Sequence, residues 1–478
     1  MPARLSFRPK AVADTIRLAV LAKAEWPKFA KSLSAAHRRF AAQNGFVGAS
    51  GTHLALPGRD GRIERVLAGV APDDAGDGSG GWMWGHAGLP LTLPHGSYRL
   101  DPEPATAETA TRIAIAWGIG SYAFDRYKKA PRSPATLVWP ALADRRAVQS
   151  FVRADGFARD LINTPAEEMG PDGLAEAALA MAEELGMTAR VVEGEALRAQ
   201  GYNLIHAVGR AAARAPRLIE LGWGDPAHPR VALVGKGVCF DTGGLGIKPD
   251  AGMKLMKKDM GGAAHVLALA RLAVEAKLKL RLQVLIPAVE NSISGNALRP
   301  LDIIRSKAGK TVEIGHTDAE GRLVLADAFA RAAEEKPELM LDFATLTGAA
   351  RVALGPDLPA LFANDDGLSD ALLAAGLAHD DPAWRMPLWK PYRSRIDSKN
   401  ADMNNVSDGP FGGAIVAALF LQDFVPREAA WAHFDIVAWS PWPRPGRPEG
   451  AMVQGLRAAF AVLRQRYAPE GARPPLSV

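Results

Sequence analysis

The chain has a single cysteine, Cys239, among its 478 residues. That excludes an intramolecular disulfide and any zinc site built on several thiolates. A metal here would have to be held mainly by oxygen and nitrogen, and a reducing cytoplasm fits this composition. Long apolar runs are missing too. Each apolar stretch is broken by charge, Gly or Pro within a few residues, so no membrane span is expected. The opening residues, MPARLSFRPKAVADTIRLAV, lack the charged, apolar and small-residue order of a secretory leader. No GxxxxGK[ST] phosphate loop occurs, which removes phosphate cradling as a strong competitor. Charge of one sign is scarce as well. The formal net charge is only +5, with no dense basic run carrying interleaved aromatics. Composition therefore gives nucleic acid no support as a partner, and the charge reads as ordinary solubilising surface.

What is present is the balance of a soluble globular enzyme, 48% hydrophobic and 23% charged, on a chain too long for one ordinary core. Two domains are the simplest division. Residues 1–135 read as a smaller α/β unit, with a helix expected over Pro27–Gln43, a Gly/Asp-rich loop at Asp73–Gly81 and a helix over Thr106–Ala123. The basic, Pro-containing stretch Lys128–Pro134 is the expected boundary. From Arg145 to the end, strands and helices alternate. Helices are expected over Arg145–Asp160, Gly173–Gly186, Gly262–Ala276 and Leu325–Lys336. Strands are expected at Ala189–Val192, Arg217–Leu221, Arg230–Val234, Leu280–Ala288 and Glu338–Ala344. This alternation predicts an α/β fold with a mostly parallel central sheet flanked by helices, in which ligands gather beyond the carboxyl ends of the strands.

Three segments at such places carry chemistry. Val231–Pro249, VALVGKGVCFDTGGLGIKP, runs from a buried-strand pattern into a Gly-rich loop bearing Lys236, Asp241 and Lys248. Lys254–His265 contributes Asp259 just ahead of a helix, and His316–Ala328 contributes Asp318, Glu320 and Arg322. Asp241, Asp259, Asp318 and Glu320 form a hard-ligand set. Carboxylates do not cluster in a partly dry site unless cations neutralise them, and four of them suit two divalent ions. Asp318 and Glu320, two apart, would share a face if that segment were extended. Gly243, Gly244 and Gly246 would admit backbone conformations that other residues resist. Taken singly, each carboxylate would be a solvated loop residue or a helix cap, and Cys239 a small buried side chain. Order and spacing together are what point to a site.

The joint pattern resembles the leucyl aminopeptidase, or cytosol aminopeptidase, family. Where that family reads NTDAEGR, this chain has HTDAEGR at His316–Arg322. GKGVCFDTGGLGIK at Gly235–Lys248, DMGGAA at Asp259–Ala264 and ATLTGA at Ala344–Ala349 match further family segments, and RDLINTPAEEMGP at Arg159–Pro171 is similar to the start of its catalytic domain. The resemblance runs from about Arg159 onwards and is weak in the N-terminal third. It implies a metalloexopeptidase that takes peptides with a free N-terminus, with two divalent ions, Mn²⁺ or Zn²⁺. Lys236, Asp241, Asp259 and Glu320 would hold one ion. Asp241, Asp318 and Glu320, helped by the main-chain oxygen of Asp318, would hold the other. Lys236 would have to be neutral, far below its reference pKa of about 10.4. Lys248 would polarise the scissile carbonyl and Arg322 would anchor a bicarbonate. The carbonyl of Leu346 would accept a hydrogen bond from the substrate amine, and Met256, Thr345 and Gly348 would line the pocket for the first side chain. The resemblance further implies a homohexamer. It also carries an alternative, a DNA-binding regulator on the same fold, which in this sequence has only the mild basic charge behind it.

Two features depart from the family pattern. His316 stands where Asn is usual, and as a neighbour of Asp318 it reads as a spare ligand, a hydrogen-bonder to the ligand loop or a loop filler. DIVAWSPW, Asp435–Trp442, is unlike the family's usual sequence there, although WAHFDI before it fits. His206, His265 and His433 fall outside the ligand pattern and read as structural.

Overall fold

The computed structural model describes residues 6–72 and 81–469. Of the expected loop Asp73–Gly81, all but Gly81 lies outside the described residues, and Gly81 opens a helix. The chain divides into two compact units, Met1–Phe157 with Ser440–Gly450, and Ala158–Trp439 with Ala451–Val478.

The first unit is built on a six-stranded sheet. Its spatial order is Phe7–Arg8, Thr136–Val138, Ser97–Leu100, Ile16–Ala22, Ile63–Val70 and His53–Pro57. All neighbours run parallel except the last pair. Parallel neighbours need crossover connections, and helices supply them. The helix Ala107–Gly120 turns Ile113, Ala116, Trp117 and Gly120 inward, the face that the three- and four-residue spacing predicts. The helix expected over 27–43 is two helices, Trp26–Ser32 and Ala35–Gln43. Ser34 causes the break: its hydroxyl accepts the His37 N–H at 3.1 Å, and its backbone is extended, so it caps a new helix instead of continuing the old one.

The second unit carries the larger sheet. Its spatial order is Trp384–Arg385, Ala360–Ala363, Ala430–Asp435, Leu339–Ala344, Arg230–Gly235, Arg281–Asn291, Arg217–Trp223 and Thr188–Glu193. The central four run parallel. Arg217–Trp223, Thr188–Glu193 and Ala360–Ala363 pair antiparallel at the flanks. The fold is thus α/β with a mostly parallel central sheet, joined to a smaller α/β domain. Side-chain parity shows how the sheet is covered. Ala232, Val234 and Met340 pack with the helix Glu320–Glu334 in one cluster. Gly235 and Phe343, of opposite parity, face the helix Gly261–Glu275. Alternate residues of a strand point to opposite faces, so one helix lies on each side. Both faces being buried explains why Leu339–Ala344 reads as a continuous apolar run broken only by Asp342. That carboxylate is satisfied within the sheet by Trp431 Nε1 at 2.8 Å and His433 Nδ1 at 2.6 Å.

Helix ends matter for the site. The helix Pro171–Leu185 stops at Gly186, which takes the left-handed conformation at φ 65°, as its sequence position suggests. The helix expected from Leu325 begins five residues earlier, at Glu320. The segment holding Asp318 and Glu320 is therefore a turn feeding a helix, and the shared extended face expected for them is not formed.

Candidate functional site

Lys236 interrupts a strand. Arg230–Gly235 and Gly237–Asp241 both run parallel to Arg281–Asn291 in one register across Lys236, and the irregularity comes later, between Val238 and Phe240. At the junction the Lys236 N–H donates to the Phe343 carbonyl at 3.0 Å, and its own carbonyl accepts the Ala263 N–H at 2.8 Å. With its backbone held on two sides, the side chain runs inward and is 3% exposed. Its Nζ lies 2.7 Å from Asp259 Oδ2 and 3.0 Å from Glu320 Oε1, and donates to the Thr345 carbonyl at 3.1 Å. Gly262 makes the close approach possible. A Cβ there would lie 2.0 Å from the Phe343 carbonyl oxygen and 2.7 Å from Lys236 N. Both are backbone atoms that cannot swing aside. Gly262→Ala is expected to cost about 2–3 kcal/mol in a denaturant titration. Gly348→Ala, where a Cβ meets nothing within 4 Å, is expected to leave stability unchanged.

Each of the other predicted ligands comes from a different kind of element. Asp259 lies in the short 3₁₀ turn Met256–Met260 that leads into the helix Gly261–Glu275. Its Oδ1 accepts the Thr345 hydroxyl at 2.7 Å. Asp241 ends its strand, and its Oδ1 accepts from Gly243 N at 2.8 Å and Asn291 Nδ2 at 2.9 Å. The loop beyond turns back through Gly243 and Gly244 at φ 88° and 66°, whereas Gly246 keeps ordinary backbone. This turn brings Lys248 round to Asp241 Oδ2 at 2.8 Å and into contact with Asp318 Oδ1. Oxygens of Asp241, Asp259 and Glu320, all buried, lie within 4.8 Å of one another, near the spacing at which oxygens share one divalent ion. Asp318 is tied to this set through Lys248.

Four carboxylates with two ammonium groups leave a net negative site away from bulk water. Burial pushes Asp259 and Glu320 up, and the neighbouring Asp241 adds to it. Burial, with Asp241, lifts Asp318 to about 6. For Asp241 burial acts upward as well, but Lys236 and Lys248 outweigh it and hold that carboxyl below its usual range. The two lysines respond in the opposite sense. Burial would lower both, yet the carboxylates around them outweigh it and hold each above its ordinary value. Glu320 Oε2 is buried with no hydrogen-bond partner among the described residues. Surplus negative charge, an orphaned carboxylate oxygen and a donor set of hard oxygens plus one amine fit divalent cations.

Arg322 is buried two residues beyond Glu320. Its Nη1 donates to the Asn405 carbonyl at 2.6 Å, its Nε has no partner among the described residues, and burial lowers it to about 10. His316 acts as a hydrogen-bonder: its Nδ1 accepts the Asp318 N–H at 3.0 Å. Thr345 and Leu346 follow the Leu339–Ala344 strand, and Gly348 starts the helix Gly348–Leu354. Met256 heads the turn that carries Asp259. The three histidines read as structural have partners elsewhere. His206 pairs with Glu195 at 2.9 Å and His433 with Asp342, while His265 bridges the Gly261 carbonyl at 2.6 Å and Gln454 N at 2.9 Å. Cys239 is buried and free.

Several residues that hold the site were not legible in sequence. Asn405 Oδ1 accepts from Gly315 N at 2.8 Å, and its Nδ2 donates to the His316 carbonyl at 2.8 Å, clamping the turn before Glu320. Asn291 ties Asp241 to the Thr317 carbonyl at 3.0 Å. Asp435 fixes the turn after Thr345. In sequence Asn405 is lost among the polar residues of Asp402–Asp408 and Asn291 follows Glu290; only Asp435, inside Phe434–Trp439, stands out as a lone polar residue.

Comparison with known proteins agrees with this arrangement. A family model described as "Cytosol aminopeptidase family, catalytic domain" matches residues 156–458, and one described as "M17 aminopeptidase, N-terminal domain" matches 16–140. A probable cytosol aminopeptidase of Caulobacter vibrioides is 41% identical over 76% of this chain and 77% of its own. The crystal structure of a cytosol aminopeptidase from Coxiella burnetii superposes with a TM-score of 0.92 at 46% identity, covering 97% of this chain and 99% of that one. A bottromycin maturation enzyme solved in complex with Mn superposes at 0.84 with 36% identity, covering 95% and 99%. Domain matches along most of the chain, and a buried acidic cluster suited to divalent ions, lead to one conclusion: the chain belongs to the cytosol aminopeptidase family and is a metal-dependent aminopeptidase acting on peptides.

Proposed function

We propose that this enzyme removes the N-terminal residue from peptides using two divalent ions per subunit, Mn²⁺ or Zn²⁺, in the cytoplasm and as a homohexamer. Its catalytic residues all belong to the second compact unit, Ala158–Trp439 with Ala451–Val478. The observation that carries the reading is the buried set Asp241, Asp259 and Glu320, with Glu320 Oε2 lacking any partner among the described residues. Lys236, Asp241, Asp259 and Glu320 would hold one ion, and Asp241, Asp318 and Glu320, with the Asp318 main-chain oxygen, would hold the other. Bound there, such ions supply an acidified water and a Lewis acid for the carbonyl.

The chain's own groups do the rest. Carboxylates alone hold Lys236 charged, so it becomes an amine ligand only where a dication outweighs them. Lys248, partly exposed at the mouth of the cluster, keeps its proton and stabilises the developing oxyanion. Arg322 offers its unpartnered Nε to anchor a bicarbonate, a group able to move a proton where no histidine base stands. The Leu346 carbonyl accepts the substrate amine. Met256, Thr345 and Gly348 frame a site for an apolar first side chain, and Gly348 leaves open space where a Cβ would be. Exposed Leu301, Val352, Phe411, Trp384 and Trp389 give the second unit apolar surface of the kind subunit contacts cover.

Because the free amine is a recognition element, acetylating it should be severe. An acetylated tripeptide is expected to react on the order of a thousandfold more slowly than its free form, as happens when a site built for a polar group meets an analogue without it. Equal release from both, followed by mass spectrometry, would remove the exopeptidase reading.

A further inference from the structure

Asp435 closes the strand Ala430–Asp435 at its carboxyl end, buried, and spends its whole carboxylate on one turn. Oδ1 accepts from Leu346 N at 3.0 Å and Thr347 N at 3.1 Å, and Oδ2 accepts the Thr347 hydroxyl at 2.6 Å. Three polar groups converge on it, and an ionised carboxylate accepts from all three; burial pushes its pKa up, while His433 and these hydrogen bonds act to lower it. Thr347 is itself the cap of the helix Gly348–Leu354, accepting Ala350 N at 3.0 Å, so the turn is fastened from both ends.

The consequence follows from the planarity of the peptide unit. In a trans peptide the C=O points opposite to the N–H that follows it. An N–H of Leu346 aimed at Asp435 sends the Thr345 carbonyl the other way, and there that oxygen meets Lys236 Nζ at 3.1 Å inside the carboxylate cluster. The next plane obeys the same rule. With the Thr347 N–H also on Asp435 Oδ1, the Leu346 carbonyl points away from Asp435, towards the side on which Thr345 O reaches the cluster. The negative charge behind both N–H groups polarises the two peptides and makes their oxygens stronger acceptors.

We infer that Asp435 is a positioning residue that aims the Leu346 carbonyl at the substrate's α-amine, so that recognition of a free N-terminus depends on a buried carboxylate that never touches the substrate. The inference rests on the proposed role of Leu346. Asp435 lies in no segment from which ligands are drawn, and the α-amine is where the inference places its effect on recognition.

The test uses two product-like inhibitors on the full enzyme loaded with Mn²⁺: leucine, and 4-methylpentanoate, the same molecule without its amine. The wild type should bind leucine more tightly. In Asp435→Asn, which keeps the shape and loses the charge, leucine inhibition is expected to weaken by about tenfold, the loss of one charge-assisted hydrogen bond. Inhibition by 4-methylpentanoate should stay the same, and KM for free-amine peptides should rise more than kcat falls. Equal weakening of both inhibitors would make Asp435 a general prop for the fold and overturn the inference, and so would no weakening of either. Should the wild type itself fail to prefer leucine, the amine site is at fault, a result distinct from a wild-type preference that Asp435→Asn leaves intact. Thr347→Val removes the hydroxyl bond to Asp435 together with the cap on Ala350 N, and is expected to lower the leucine preference by about two- to threefold while leaving 4-methylpentanoate unchanged. If Asp435→Asn does not fold, an unchanged preference in Thr347→Val overturns the inference.

Discussion

Changing Glu320 to glutamine is expected to lower kcat by on the order of a thousandfold while leaving the fold intact, since losing even an outer partner of a metal ligand costs about 10–100-fold. Glu320 opens its helix and is buried among Lys236, Asp241 and Asp259. In the proposed role, as a ligand shared by two ions, it has no substitute nearby. Glutamine keeps the shape and one acceptor oxygen but removes the charge that offsets a dication. The same change has the opposite sign for the metal-free protein. There, burial and the neighbouring Asp241 oppose ionisation of Glu320, so an ionised Glu320 costs stability at neutral pH. Metal-free Glu320→Gln should therefore melt above the metal-free parent, even as its activity is gone. Turnover on a free-amine dipeptide, metal content and melting temperature check the three parts. Wild-type turnover with wild-type metal content would reject Glu320 as a ligand.

That pair of opposite signs could not be read from the sequence, and the reason is physical. The resemblance carried by HTDAEGR, GKGVCFD and DMGGAA brings Lys236 and Lys248 to the site, but residue types alone do not say how the charges balance once both are packed among four carboxylates. Lys236 alone reads as a surface residue. It is buried because it sits between two in-register strand segments, its backbone bonded to Phe343 and Ala263, which are remote in sequence. The supports are further away still. Asn405 follows the two-residue strand Met403–Asn404, which pairs with Thr311–Glu313 and so lies against the turn before Glu320. Strands that short carry no usable periodicity. Nothing has strengthened the DNA-binding alternative, which had only the +5 charge behind it.

The fold was legible where burial is two-sided. Arg230–Gly235 and Leu339–Ala344 stand out because both faces are covered and nearly every position is apolar. The antiparallel flank was harder, since Ala360–Ala363 is only four residues long and finds its place by pairing with Ala430–Asp435. Helix starts were the least readable. The extended geometry expected for Asp318 and Glu320 gave way to a turn because Asn405 holds the His316 carbonyl and His316 Nδ1 takes the Asp318 N–H. At that point a distant residue and a local side chain decide the backbone, and helix propensity does not.

Stripping divalent ions should abolish release of N-terminal residues, and adding Mn²⁺ or Zn²⁺ should restore it. The stability effect is as informative as the activity. An ion that binds only the folded cluster stabilises it by about 2.7 kcal/mol at a hundred times its dissociation constant, so the melting temperature should climb with metal concentration. Protons compete for the same oxygens, because the carboxylates must be ionised and Lys236 neutral to act as ligands. The rise should accordingly be larger at pH 8 than at pH 5. A purely structural acidic patch, screened by solvent, would show a small rise, equal for Mg²⁺ and Mn²⁺ and suppressed by salt. The buried cluster predicts a preference that survives salt, since its charges lie out of reach of the ionic atmosphere and an amine donor favours Mn²⁺ or Zn²⁺ over Mg²⁺. Thorough chelation that left peptide release at full rate would overturn the assignment of all five ligands together.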